Sequence, residues 1–401
     1  MTLSMAADRL RASRTLRLGV ALGLGVTVRA IASRATANTP PGLVDWQRAE
    51  RIARGRLQRA PGRLTTQQLQ AAAPAYARHM DRVVPLLERR LGAPLPGVVE
   101  RHEVVSRAEW AAANMGTLKA LIGHLEPHLV PPLPRDTVGG GVAAATNRLL
   151  TTGQIGFLLG YLGSRVLGQY DVALLSAEQE PGRLLFVEEN IRATARALNV
   201  PPDDFRLWVA LHETTHAFEL EAHPWLRPYL RSRLERQVAL FAQETQSLRR
   251  HGLVHLARRW RTAASERSVR GFLSPQQREL FKETQLVMSL MEGFSDWVMD
   301  AVGADVVPDV AGIRRRFEAR RYRRRRATDR LVSRLIGMDM KLEQYRRGER
   351  FVAGVYRVGG SAAIGHLWDG PATLPSAHEM DDPAAWVRRV VPEARGVEGD
   401  R

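Results

Sequence analysis

A chain of 401 residues with 44% hydrophobic and 25% charged residues has the makeup of a globular protein able to bury a sizeable core. It holds no cysteine, which excludes disulfides, thiolate metal sites, iron–sulfur clusters and a cysteine nucleophile, so any metal must be held by His, Asp or Glu. The net charge of +17 is almost wholly arginine, since Lys119, Lys282 and Lys341 are the only lysines; this is the usage of an Arg- and Ala-rich chain from a GC-rich genome. Codon bias therefore accounts for part of the charge, and attraction to nucleic acid, anionic lipid or an acidic partner is its functional reading.

In chain order, the first feature is the apolar run Leu18 to Val28, flanked by Arg17 and Arg29. It falls short of the ~18 residues a membrane span requires. With Ala35-Thr36-Ala37 behind it the segment resembles a signal peptide, but Arg29 and Arg34 lie where such charges are unfavourable. Residues 1–42 are therefore read as an extension and linker ending in Asn38-Thr39-Pro40-Pro41-Gly42. A cytoplasmic location is expected, the alternative being export or membrane-peripheral attachment through residues 1–37.

From Leu43 the pattern is helical. Asp45 can cap a helix through Trp46, Ala49 and Ile52, and a second helix is predicted from Thr65 to Leu91. A third covers Arg107 to Leu125. Pro131-Pro132 and Gly139-Gly140-Gly141 predict a loop or hinge before the apolar stretch Ile155 to Leu167. The best strand is Arg183 to Glu188, followed by a short helix to Leu198. One helix is predicted over Asp203 to Ala222, stopped by Pro224. Ser274-Pro275-Gln276-Gln277 opens another, with Ser as N-cap, Pro at the first helical position and Gln completing a capping box. Arg314 to Arg330 holds ten arginines in seventeen residues. The expected fold is mainly α with little β-strand: an extension over 1–42, a domain over 43–392 and a tail over 393–401.

Chemistry concentrates in His212-Glu213-Thr214-Thr215-His216. Two histidines four apart on a helix lie one turn apart on the same face, so both imidazoles can reach one ion. Glu213, about 100° round the helix, falls beside that ion, where its carboxylate can accept a proton from water. Phe205, Trp208, Val209 and Leu211 around the motif imply a buried helix, in which imidazoles need partners. The competing structural reading is two core histidines sharing a helix with a surface glutamate. A compact His-Glu-x-x-His-x-x-Gly-x-x-His site fails, because Glu219 stands at the glycine position and Ala222 at the last histidine; His223 reads as a helix-end residue. A third ligand can come from Glu292, with Asp296 one turn later on the same face of an otherwise apolar stretch. Glu292 would bind the metal and Asp296 would orient a ligand imidazole, whereas in the structural reading both point to solvent or pair with arginine. Asp300 reads as structural.

His212-Glu213-x-x-His216 followed by Glu292-x-x-x-Asp296 resembles the gluzincin branch of the zincin metallopeptidases. More specifically, the chain is similar to the bacterial zincin-like metallopeptidases labelled as associated with coenzyme F-420 biosynthesis. That resemblance is spread over Asp45-Trp46, Val166 to Asp171, Phe205 to Trp208, Glu292-Gly293, Gly337 to Tyr345, Leu367-Trp368, Leu374-Pro375 and Asp382 to Trp386. It implies a mainly α, bilobal zincin-like fold with one zinc ion between the lobes, bound by His212, His216 and Glu292. It also implies Glu213 as general base, Asp296 as support for a ligand histidine, and a peptide or protein substrate. Tyr345, His251 and His255 are open candidates for the donor that stabilises an oxyanion.

Two other functions compete with hydrolysis. One is a non-enzymatic scaffold stabilised by zinc. The other is a nucleic-acid or membrane-surface binder using Arg314 to Arg330, whose thin aromatic content, Phe317 and Tyr322, argues against a stacking platform. No stable nucleic-acid partner is expected, and membrane contact falls to the N-terminal extension.

Overall fold

A computed structural model describes residues 42–129 except 96, 138–171, 182–240 except 238, 274–323 and 338–391. The N-terminal extension, Pro131-Pro132, His251, His255, Arg324 to Arg330, the Tyr345 side chain and the C-terminal tail lie outside the described residues.

Helix α1 (Trp46–Gln58) starts where predicted: the Asp45 carboxylate accepts the Arg48 backbone N–H at 3.0 Å. Ala49, Ala53 and Leu57, four residues apart, form its buried stripe. The single helix predicted over Thr65 to Leu91 is two, α2 (Thr66–Gln70) and α3 (Ala73–Leu91), parted at Ala71-Ala72. Pro74 fits the break, because a residue without an N–H is favoured in the first turn of a helix, where that donor would have no partner within the helix. Gly92, in the left-handed conformation at φ 73°, ends α3.

After α4 (Arg107–Leu129), α5 spans Val138–Gly163 and takes in Gly139-Gly140-Gly141, so the predicted glycine hinge is the first turn of a helix. Glycine there costs helix stability, about 1 kcal/mol each relative to alanine. Close packing of the same helix on α1 offsets this: a Cβ on Gly156 would lie 2.6 Å from the Ala49 carbonyl oxygen.

Three short strands form one sheet, in the order β1 (His102–Val105), β3 (Arg183–Val187), β2 (Gly168–Asp171). β1 and β3 are parallel, β2 and β3 antiparallel, with Gly168 opposite Phe186. The predicted strand ends at Val187, one residue early, because Glu188 opens α6 (Glu188–Leu198). The strand's two-residue period divides the molecule. Leu184 and Phe186 point into the main core, whereas Leu185 and Val187 pack with Leu57, Val105, Trp110 and Ala111 on the opposite face. Helices thus cover both sides of a small sheet, in a mainly α architecture.

The two faces are joined by buried charge. Glu188 receives the Tyr76 hydroxyl at 2.7 Å and pairs with Arg206, while Glu189 accepts the backbone N–H groups of Leu64 and Arg107, each at 3.0 Å. Every one of these carboxylates is hydrogen-bonded, as buried acids must be.

Helix α7 (Pro202–Glu221) runs through the main core and packs on α3, α6, β2 and the long α9 (Pro275–Val306). It is followed by α8 over residues 226–237. α9 starts with the predicted Ser274–Gln277 capping box. α10 (Val310–Arg323) leads to the described part of α11 (Met338–Gly365) and then to α12 (Pro383–Val390). α9 and α11 touch backbone to backbone, since a Cβ on Gly293 would sit 2.2 Å from the Gly348 carbonyl carbon.

Candidate metal centre

Most of α7 is apolar on every side, with Phe205, Leu207, Val209, Ala210, Leu211, Ala217 and Phe218 all buried. A helix of that composition has to run through a core, and any polar group it carries must find partners there. His212 and His216 emerge on the side facing α9. Their rings lie 4.8 Å apart at 81°, and the His212 ring stacks on Trp208, one turn earlier, which itself packs on Phe205 and Phe317.

Across from them, α9 contributes Glu292, with Oε2 4.0 Å from His212 Nε2. One donor atom from each of His212, His216 and Glu292 falls within 4.8 Å of the others. Residues separated by about eighty positions in sequence are thus gathered at one point, as the sequence predicted. A tetrahedral zinc site spaces its donors by roughly 3.4 Å, so small side-chain adjustments close this group on an ion. Its side chains are 22%, 16% and 23% exposed, which leaves the point reachable from solvent.

Glu213 is buried beside this trio. Burial, opposed by His216 and reinforced by Glu292, raises its carboxyl to about 7. The first residue of β2 presses on it: a Cβ on Gly168 would stand 2.5 Å from Glu213 Cγ. Two turns on, β2 meets α7 again, where Tyr170 donates its hydroxyl to Glu221, a carboxylate also held by Arg101.

The imidazole of His216 is fixed from behind. Its Nδ1 lies 2.8 Å from Glu219 Oε2 and 3.3 Å from Ser295 Oγ, which leaves Nε2 for the ion. Burial lowers the His216 pKa, but the carboxylates of Glu219, Glu292 and Glu213 together push it up to about 10. Glu219 is wholly buried and raised by that burial to about 7. In the sequence Glu219 stands out only as the residue that rules out the compact motif. Glu219 makes the carboxylate contact to His216, and Asp296 Oδ2 lies 4.0 Å from Arg314 Nη2. Arg314 also binds Asp300, Glu318 and Glu349, so this member of the arginine-rich stretch is tied into ion pairs.

Three carboxylates around two half-buried imidazoles form an arrangement that a divalent cation would neutralise. Burial disfavours the ionised forms of Glu213 and Glu219 and raises both carboxyls, and a nearby cation would favour those ionised forms. Two nitrogens and one oxygen are a donor set that zinc accepts. A zincin-like metallopeptidase family model matches residues 44–387. The chain belongs to the zincin-like metallopeptidase family. Among solved structures, this family member is similar to a candidate hydrolase with a novel fold from Chloroflexus aurantiacus. That likeness is 35% identity over 86% of this chain and 98% of the other, with a TM-score of 0.62. None of the curated proteins matches the chain. The family match covers α7, α9 and the sheet, while residues 1–43 lie before it.

Proposed function

We propose that this protein is a zinc-dependent hydrolase of peptide or other amide bonds. His212, His216 and Glu292 are its metal ligands, Glu213 is its general base, and Asp296 with Arg314 borders the same site. The observation that carries this reading is the convergence of the three donor atoms to within 4.8 Å from two separate helices, with Glu213 outside the trio and beside it. Zinc, when bound to such a set, acidifies a water molecule and polarises the carbonyl under attack.

The chain's own contribution follows from where Glu213 sits. A carboxylate raised to about 7 by burial has nearly the proton affinity that general acid–base work near neutral pH requires. It accepts the proton as water attacks the carbonyl carbon, and it returns that proton to the leaving amine. The missing side chain at Gly168 leaves room for the carboxylate against β2, and Trp208 holds the His212 ring by stacking.

The test is a pair of substitutions. Glu213→Gln should bind zinc as the wild type does and lose about two to four orders of magnitude in hydrolytic rate. His216→Ala should lose the metal. Metal content by atomic emission, together with turnover of a mixed peptide library, reads both, and wild-type protein purified without chelators yet free of zinc would overturn the proposal.

A further inference from the structure

Resting on the zinc-site reading above, we infer that Glu219 is the positioning residue for His216: its carboxylate holds the Nδ1–H and so turns Nε2 to the metal. Four observations bear on it. Glu219 Oε2 stands 2.8 Å from His216 Nδ1, and Glu219 itself is fully buried. Its second oxygen, Oε1, is buried with no hydrogen-bond partner among the described groups, so no arginine or lysine there takes up its charge. Glu219 lies three residues after His216 on α7, where side chains of successive turns meet, so the pairing is built into the helix. Ser295, also fully buried, reaches the same Nδ1 from α9 at 3.3 Å, which fixes the ring from both ligand helices.

A wholly buried acid with half its hydrogen-bonding capacity unmet destabilises a fold unless something else is gained. Ordering a ligand imidazole is such a gain. Acceptance of the Nδ1 proton fixes the tautomer, makes Nε2 a stronger donor and places anionic charge near a dication. Ser295 alone would supply the hydrogen bond but not the charge. The role is distinct from that of Glu292, which offers its oxygen to the ion directly.

The experiment is zinc affinity by competition with a chromophoric chelator, on the full chain. It is paired with the absorption spectrum of the cobalt(II)-substituted protein and the melting temperature of the metal-free protein. Glu219→Gln keeps the shape and the acceptor oxygen but removes the charge; it should weaken zinc binding about 10- to 100-fold and shift the cobalt bands. Glu219→Asp, which restores the charge on a shorter arm, should recover part of the loss. Ser295→Ala should weaken binding less than Glu219→Gln. A merely structural Glu219 would instead give a Gln variant with wild-type zinc affinity and an unchanged cobalt spectrum, and that result overturns the inference while leaving the zinc-site reading intact. Wild-type protein that takes up neither zinc nor cobalt overturns both.

Discussion

Gly168 has room for a hydrogen and nothing larger. A methyl group there would lie 2.5 Å from Glu213 Cγ and 2.9 Å from Oε1, so either the strand or the carboxylate must shift. β2 is held by its pairing to β3, with Gly168 opposite Phe186, and the carboxylate is the softer of the two. Gly168→Ala should therefore displace the base while leaving His212, His216 and Glu292 in place. The expected outcome is a fall in kcat of about 10- to 100-fold, the penalty for misplacing a reacting group by around an ångström, with zinc stoichiometry unchanged. Steady-state kinetics alongside metal analysis would check it; equal losses of zinc and activity would contradict it. The same residues show why part of the site was legible beforehand. His212, Glu213 and His216 share a helical turn, and Glu292 was conspicuous as an acid in an apolar stretch. Gly168 acts on a residue forty-five positions away and has no side chain to signal it. Glu219 was hidden differently: its spacing excluded one known motif, and only the 2.8 Å contact gives it a positive role.

Elements bring these residues together, and α9, which carries Glu292, is itself seated by its crossing with α11. Gly293 and Gly348 let the backbones touch, since a Cβ on Gly348 would come within 1.8 Å of the Ser289 carbonyl oxygen. Glu292 is the neighbour of Gly293, so this joint also sets the residue proposed as third ligand. Gly293→Ala should force the helices apart, at about 1–3 kcal/mol for overpacking, and should weaken zinc binding as well. A urea denaturation midpoint of the metal-free protein measures the first effect and chelator competition the second; wild-type values for both would contradict it. Elements bounded by local chemistry were readable from sequence, as at Asp45, Ser274 and Pro275. β1 and β2 were not. Each is four residues long, and each is stabilised by pairing with β3 rather than by its own composition. The glycine run at 139–141 and the break at Ala71-Ala72 likewise depend on neighbours, one tolerated inside a long packed helix and the other placed by Pro74.

For the molecule as a whole, no described helix is long and apolar enough to cross a membrane, and the main core runs unbroken from α3 through α7 to α12. Two histidines pack into that core away from the candidate metal centre. His79 on α3 is 3% exposed and meets Asp203 at 3.2 Å. His223 follows α7, stacks on Trp368 and meets Phe218 edge-on. Burial holds His223 down to about 4 against the pull of Asp369, and burial also lowers His79 against the pull of Asp203. The sign follows from linkage. Between about 4 and 6.5 the unfolded chain binds a proton at His223 that the folded chain refuses, so stability is complete above 6.5 and declines as pH falls towards 4. His223→Phe keeps an aromatic ring between Phe218 and Trp368 but cannot titrate. Its denaturation midpoint should therefore fall less than that of the wild type between pH 7 and pH 4.5, so that the difference between the two proteins changes across this range. Carboxylates elsewhere titrate in both proteins and cancel in the difference. Parallel curves across this range would mean that His223 takes up its proton as readily in the fold as in the unfolded chain, and that the seam joining α7 to the C-terminal segment is open to water.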